Sequence, residues 1–271
     1  MYIEGVLTLA QSLKNATRYL PLITPAVASN PLQYNIMQMA KDKDVEVIYA
    51  PFDYIAPRAK LVVVGITPGL TQAVNALQAV TNTLDQSFEK RLLLAKQTAS
   101  FSGGVIRSNL VSMLDAIGVA RYFKVRTSAD LFHVDSDQVH FTSALRYPVF
   151  VKGQNYNGAP DMLRTPILRE MIETHLAEEA RALPDALWLP LGPKAERAVL
   201  HLADMTLLRR DRILSGMPHP SGANAERVSV FLGRKDPILA SGQTNARKLI
   251  DAARSLAEQI QKLEDQRGEA A

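Results

Sequence analysis

The sequence predicts an α/β protein: a three-layer α/β/α arrangement around a central, mostly parallel sheet of four to five strands. Three observations predict it. Short apolar runs alternate with longer amphipathic segments, the pattern of strand–helix units that put helices on both faces of a sheet. The runs are continuous, as in strands buried on both faces, and Leu61-Val62-Val63-Val64 is the clearest. The clearest runs also end in turns rich in glycine and proline that lead directly into helical segments, as in Gly65-Ile66-Thr67-Pro68-Gly69.

In chain order, Val6, Leu9, Leu13, Ala16 and Leu20 recur at helical spacing, so Ile3–Leu20 is expected as an amphipathic helix. Pro21, Pro25 and Pro31 punctuate the next stretch. Gln33–Met39 is expected to add a short helix, and Glu46–Tyr49 a short strand or extended arm. Residues 1–60 then read as a helical cap. Leu61–Val64 is the central strand, with a helix over Thr71–Leu84 behind its glycine turn and another over Phe88–Gln97. Thr98–Gly104 interrupts with small residues around one aromatic, Phe101. Ser108–Ile117 is a helix that Gly118 can close. Val139–Leu145 reads as a strand, Tyr147–Asp161 as a long polar loop, and Leu163–Leu183 as a helix. Ala186–Leu191 is the next buried strand, and Pro193 suits the first position of the helix after it. Ile213–Gly216 reads as a last short strand. The rigid turn Met217-Pro218-His219-Pro220-Ser221-Gly222 follows, then a helix through Leu232. Asn245–Gln266 is a terminal helix with a charged tail. The whole chain, 1–271, is expected as one domain: cap 1–60, α/β core 61–235, terminal helix and tail 240–271.

Composition narrows the function classes. No cysteine is present, which excludes disulfides, thiolate zinc sites and iron–sulfur clusters. No apolar run approaches the ~20 residues that span a bilayer, and the first residues lack the basic-then-apolar layout of a signal peptide. Cytoplasmic residence is the expectation, with no membrane partner. The net charge is +4, and the stretch Arg209–Lys235 holds six basic residues against Asp211 and Glu226. A local basic patch of this kind can attract a polyanion, and its plain alternative is a solvated face.

The ordered turns resemble the uracil-DNA glycosylase superfamily over about Pro51 to Leu232. Five features match in order: Gly65-Ile66-Thr67-Pro68-Gly69 after the first core strand, Phe101 in its small-residue loop, Phe141-Thr142-Ser143 at a strand end, Leu191-Gly192 before a helix, and His219-Pro220-Ser221-Gly222 after the last strand. The resemblance implies a bacterial base-excision-repair enzyme acting as a monomer on uracil-containing DNA and releasing free uracil, without metal or cofactor. The target nucleotide would be flipped from the duplex and its base read in a pocket. Phe101 would stack on the base and Ser143 would read its polar edge, with Gly65, Ile66, Pro68 and Gly69 forming the pocket wall. His219 would donate a hydrogen bond to the departing base. Ser221, Gly222 and Ala223 would meet the DNA backbone, flanked by Arg209, Arg210 and Arg227.

The departures from that pattern are specific. Thr67 stands where most relatives carry Asp or Asn to position water, and Ile66 where many carry Gln or Glu. Ser143 replaces an Asn, whose amide offers a donor and an acceptor together. Ala223 falls where several relatives insert a bulky wedge. Thr67 is left as the residue that would hold the attacking water, so turnover is expected to be slow. The alternative is a binding protein that grips uracil or abasic DNA with little turnover. A third reading takes the glycine turn as a phosphate cradle for a small molecule.

Overall fold

The structure, a computed structural model, describes residues 13–99, 104–133 and 136–269. The sheet at its centre is parallel. β3 (Leu61–Gly65) lies between β4 (Val139–Ser143) and β7 (Leu187–Pro190). An isolated parallel bridge from Trp188 to Ile213 carries the ladder one chain further. The expected four- to five-stranded sheet is therefore three strands and a bridge, because only Ile213 of the expected last strand makes a ladder pair among the described residues.

Strand periodicity sets the layers. Leu61, Val63, Leu187 and Leu189 face an apolar layer shared with helices Gly104–Ala116 and Ala246–Glu269. Val62, Val64 and Trp188 face the other layer, against helices Leu70–Thr81, Phe88–Ala99 and Pro193–Asp204. All five β3 residues are buried, as a continuous apolar run requires.

A second sheet was not anticipated. β1 (Gln38–Asp42), β2 (Val45–Ile48), β5 (Val149–Val151) and β6 (Gln154–Asn155) pair antiparallel in that order. Its Val45, Val47 and Val149 join the same layer as Val62. This corrects two expectations. The segment 1–60 carries a hairpin as well as helical turns, and the Tyr147–Asp161 loop contains another hairpin. That hairpin turns through Lys152 and Gly153, both at positive φ (51° and 74°), the backbone that two-residue hairpins favour.

Other boundaries moved little. The helix expected over Leu163–Leu183 begins at Pro166 and runs to Ala182, with a wider turn over Ile172–Leu176. Of the expected N-terminal helix, residues 13–19 are helical and the preceding residues lie outside the described chain. No helix among the described residues is long and apolar enough to cross a membrane.

Candidate functional site

Parallel pairing puts every turn that leaves a strand end at one edge of the sheet. Gly65 is opposite Ser143, and Val64 is opposite Pro190, so three strands finish nearly level. Backbone hydrogen bonds then continue past the strand ends. Ala144 N donates to Gly65 O (2.8 Å) and Leu145 N to Ile66 O (2.9 Å). Leu191 N donates to Val64 O (2.9 Å), and Gly192 N to Met217 O (3.1 Å). The Ser143, Gly65–Gly69, Leu191-Gly192 and His219 turns thus follow one another along one edge.

His219 is the best-defined donor on this edge. It is half-buried, and its Nδ1 accepts from the backbone N–H of Ser221 at 3.2 Å. Burial pushes its pKa below the ordinary histidine value. The ring is therefore neutral near pH 7, and with Nδ1 accepting, its proton sits on Nε2. The rest of the turn is fixed from outside. Asn109, on helix Gly104–Ala116, donates its side-chain amide to Pro220 O (2.9 Å). Asn224 donates to Ser221 Oγ (3.0 Å). Gly192, at φ +83°, places no side chain against His219; a Cβ there would lie 3.8 Å from His219 Cβ. Gly222 and Ala223 are exposed in the short turn Gly222–Asn224.

The turn after β3 is more constrained than expected. The Thr67 hydroxyl donates to Tyr147 O (3.1 Å) and accepts from Val149 N (3.2 Å). It is a strut between the two sheets. Its one proton is committed to a carbonyl and one lone pair to an amide, so Thr67 meets a water only through its remaining lone pair. The amides of Gly69 and Leu70 are also engaged, to Gln72 Oε1 (3.1 Å) and Asn155 Oδ1 (2.9 Å). These caps occupy donors that a phosphate would need, which counts against the phosphate-cradle reading. Gly69 has an ordinary φ of −83° and lies 3.6 Å, at its would-be Cβ, from the Asn155 side chain. Its smallness serves that contact.

Between β3 and β4 the edge opens into a small cleft lined by Phe52, Pro68, Gln72, Lys96, Phe141, Thr142, Ser143 and Arg146. Pro68 and Ser143, predicted from sequence as site residues, do meet here; Gly65 and half-buried Ile66 precede Pro68 in the same turn but do not line the cleft. His219 does not line this cleft; it stands across the Leu191-Gly192 turn. Phe101, with Ser100, Ser102 and Gly103, lies outside the described residues. Phe52 and Phe141 are the aromatics that the described cleft presents.

Below the cleft is a buried ionic cluster that sequence reading missed. Arg146 is 1% exposed and donates from Nε to Glu179 Oε1 (2.8 Å), from Nη1 to Glu178 Oε2 (3.0 Å) and from Nη2 to His175 O (2.7 Å). Lys96 Nζ donates to the carbonyls of Phe52 (3.2 Å) and Tyr54 (2.6 Å). His140 Nδ1 accepts from Ala56 N (3.3 Å), and its Nε2 faces Glu179 Oε2 at 3.3 Å. Burial lowers the Lys96 pKa to about 8 and the His140 pKa to about 4. Glu179, despite complete burial, is held below the usual carboxylate range by Arg146, Lys96 and His140. Asp53 completes the floor, accepting from the hydroxyls of Tyr147 (2.5 Å) and Tyr49 (2.8 Å). One polar atom of the cleft wall, Thr142 Oγ1, is buried with no hydrogen-bond partner among the described residues.

The expected basic flank is not assembled. Arg209 pairs with Asp211 (2.6 Å), Arg210 with Asp204, and Lys235 with Glu226 (2.7 Å). Arg209 and Arg210 also precede the Ile213 bridge, so they lie toward the opposite edge of the parallel sheet from His219. Both are withdrawn as contacts for DNA at this edge. Arg227 is on the correct side, exposed, with its guanidinium on Asn224 Oδ1 (2.8 Å) and Gln243 O (3.4 Å).

These features define an α/β protein whose loops converge at the carboxyl edge of a parallel sheet. The chain is 32% identical over 231 residues to the uncharacterized protein YoxB of Bacillus subtilis (strain 168), covering 83% of this chain and 90% of that protein. It belongs to the same family as YoxB. No family model matches the chain, and no solved structure matches it.

Proposed function

We propose that the protein excises uracil from DNA in the manner of the uracil-DNA glycosylases that its turns resemble. His219 carries this reading. A neutral imidazole with Nδ1 tied to Ser221 N can only donate from Nε2. Such a donor stabilises negative charge that develops on a base oxygen as the bond from sugar C1′ to the base breaks and its electron pair leaves with the base. Water then adds to C1′ and gives its proton to solvent. Ser143, at the level of Gly65, and Pro68 would hold one side of the extruded base, which has to reach past the Leu191-Gly192 turn to meet His219.

The Thr67 hydroxyl, engaged by Tyr147 O and Val149 N, favours the second reading: strong uracil or abasic-site binding with poor turnover. One experiment separates the two. Uracil-containing single- and double-stranded oligonucleotides are incubated with the protein and then treated with alkali to reveal abasic sites. Excision that falls about 10²–10³-fold in His219→Ala supports the enzyme. A retained gel shift specific for uracil or abasic DNA, without excision, supports the binder. Neither effect would end both readings.

A further inference from the structure

His219 stands between Pro218 and Pro220, and that flanking fixes most of its backbone. Each proline locks its own φ at about −65° and has no N–H to give. The residue before a proline is restricted as well, which applies to Met217 and to His219. The start of the turn is tied to the sheet edge by Gly192 N on Met217 O (3.1 Å). The freedom left beside the imidazole is rotation of the next peptide plane, Pro220–Ser221, about the bonds on either side of it. That trans peptide carries two engaged groups. Its N–H donates to His219 Nδ1 (3.2 Å), and its C=O accepts from the Asn109 side chain (2.9 Å). In a planar trans peptide the two groups point in opposite directions, so holding the oxygen aims the N–H. Asn109 reaches the turn from helix Gly104–Ala116. Leu110, Met113 and Leu114 of that helix are fully buried in the layer that holds Leu61 and Val63, so its position is set by the core. A carbonyl only accepts, so the Asn109 amide must present its NH₂. The bonds from Asn224 hold other atoms: its N–H donates to Ser221 O (2.9 Å) and its side chain to Ser221 Oγ (3.0 Å).

We infer that Asn109 is a positioning residue for His219: by holding Pro220 O it aims Ser221 N–H at Nδ1 and so keeps the imidazole proton on Nε2. Its part in catalysis rests on the proposed function, whereas the tautomer is a property of the free protein. With Nδ1 released, the neutral ring can carry its proton on either nitrogen. It can also turn about its side-chain bonds, and the donor that the departing base needs is then present only part of the time. Asparagine is among the poorer helix formers, and at this helix position its amide bonds a carbonyl 111 residues away.

The test uses the full chain, with histidine tautomers read by heteronuclear NMR at neutral pH and His219 assigned by the loss of its signals in His219→Gln. The parent should show the Nε2–H form. Asn109→Ala should move His219 towards a mixture with the Nδ1–H form. So should the near-isosteric Asn109→Asp, which sets a carboxylate against Pro220 O. Asn109 is half-buried and alanine suits a helix interior, so that variant is expected to stay folded. Asn224→Ala frees Ser221 Oγ but leaves Pro220 O bonded, and should keep the parental tautomer. On uracil-containing oligonucleotides, single-turnover excision should fall about tenfold in both Asn109 variants, a part of the effect of removing a donor outright. Substrate affinity should stay within about twofold, as for an interaction made only in the transition state. Added to His219→Ala, Asn109→Ala should reduce excision no further, since it acts through the imidazole. An unchanged His219 tautomer in folded Asn109 variants overturns the inference. An equal shift in Asn224→Ala does so too, because it would mean a general loosening of the turn. Full additivity with His219→Ala also overturns it. Failure of the glycosylase reading looks different: the parent leaves uracil in place, while the tautomer comparison still decides what Asn109 does.

Discussion

His219 and His140 show one residue type held the same way in two different settings. In each, Nδ1 accepts a backbone N–H, from Ser221 and from Ala56, so the same Nε2–H tautomer results. His140 is 1% exposed and its Nε2 faces Glu179; it is structural. His219 is partly buried at the carboxyl edge of the sheet, where the proposed function uses it. The neighbouring ion pair has a measurable consequence. Glu179→Ala would leave Arg146 buried with one of its two carboxylates gone, and breaking a buried pair in this way costs about 3–5 kcal/mol. Urea denaturation of the variant should show that loss. A change below about 1 kcal/mol would mean that Glu178 alone satisfies Arg146.

At the scale of elements, the turn after β3 is secured by the β5–β6 hairpin. Asn155→Ala removes the acceptor at Leu70 N and should lower stability by about 1 kcal/mol, the usual value of a helix cap. An unchanged melting curve would assign that amide to solvent. The parallel strands and most helices were legible because burial on one or both faces writes itself as apolar runs or helical stripes. β5 and β6 were not. Val149-Phe150-Val151 is only three residues, and exposed Gln154-Asn155 reads as loop, so the Lys-Gly turn between them was the available signal. The ionic cluster was half legible. Lys96 is in phase with Leu92 and Ala99 on a buried stripe, and Glu179 with Ile172 and Leu176, so each is a charge where packing demands an apolar residue. Their partner Arg146, in a loop, carries no such phase. The basic stretch misled for the converse reason: a charge count does not reveal that Asp204, Asp211 and Glu226 fold back onto it.

For the whole molecule, the buried imidazoles set the response to acid. His140 and His175 have pKa values lowered by burial to about 4 and about 3, against about 6.5 in an unfolded chain. Between those limits the unfolded chain binds protons that the folded one refuses, so stability falls as pH drops from about 6.5 towards 4 and below. Denaturation midpoints should decline across that window, and His140→Asn should flatten the decline. A midpoint constant from pH 7 to 4 would contradict it. The ladder bonds that run past the strand ends have a separate consequence for motion. Amides of Ala144, Leu145, Leu191 and Gly192 belong to the sheet's cooperative unit, so their deuterium uptake should be as slow as that of the strands themselves. Where the described edge is knitted in this way, its backbone is shared with the sheet, and fitting to an occupant falls to rotating side chains and to the occupant's own shape.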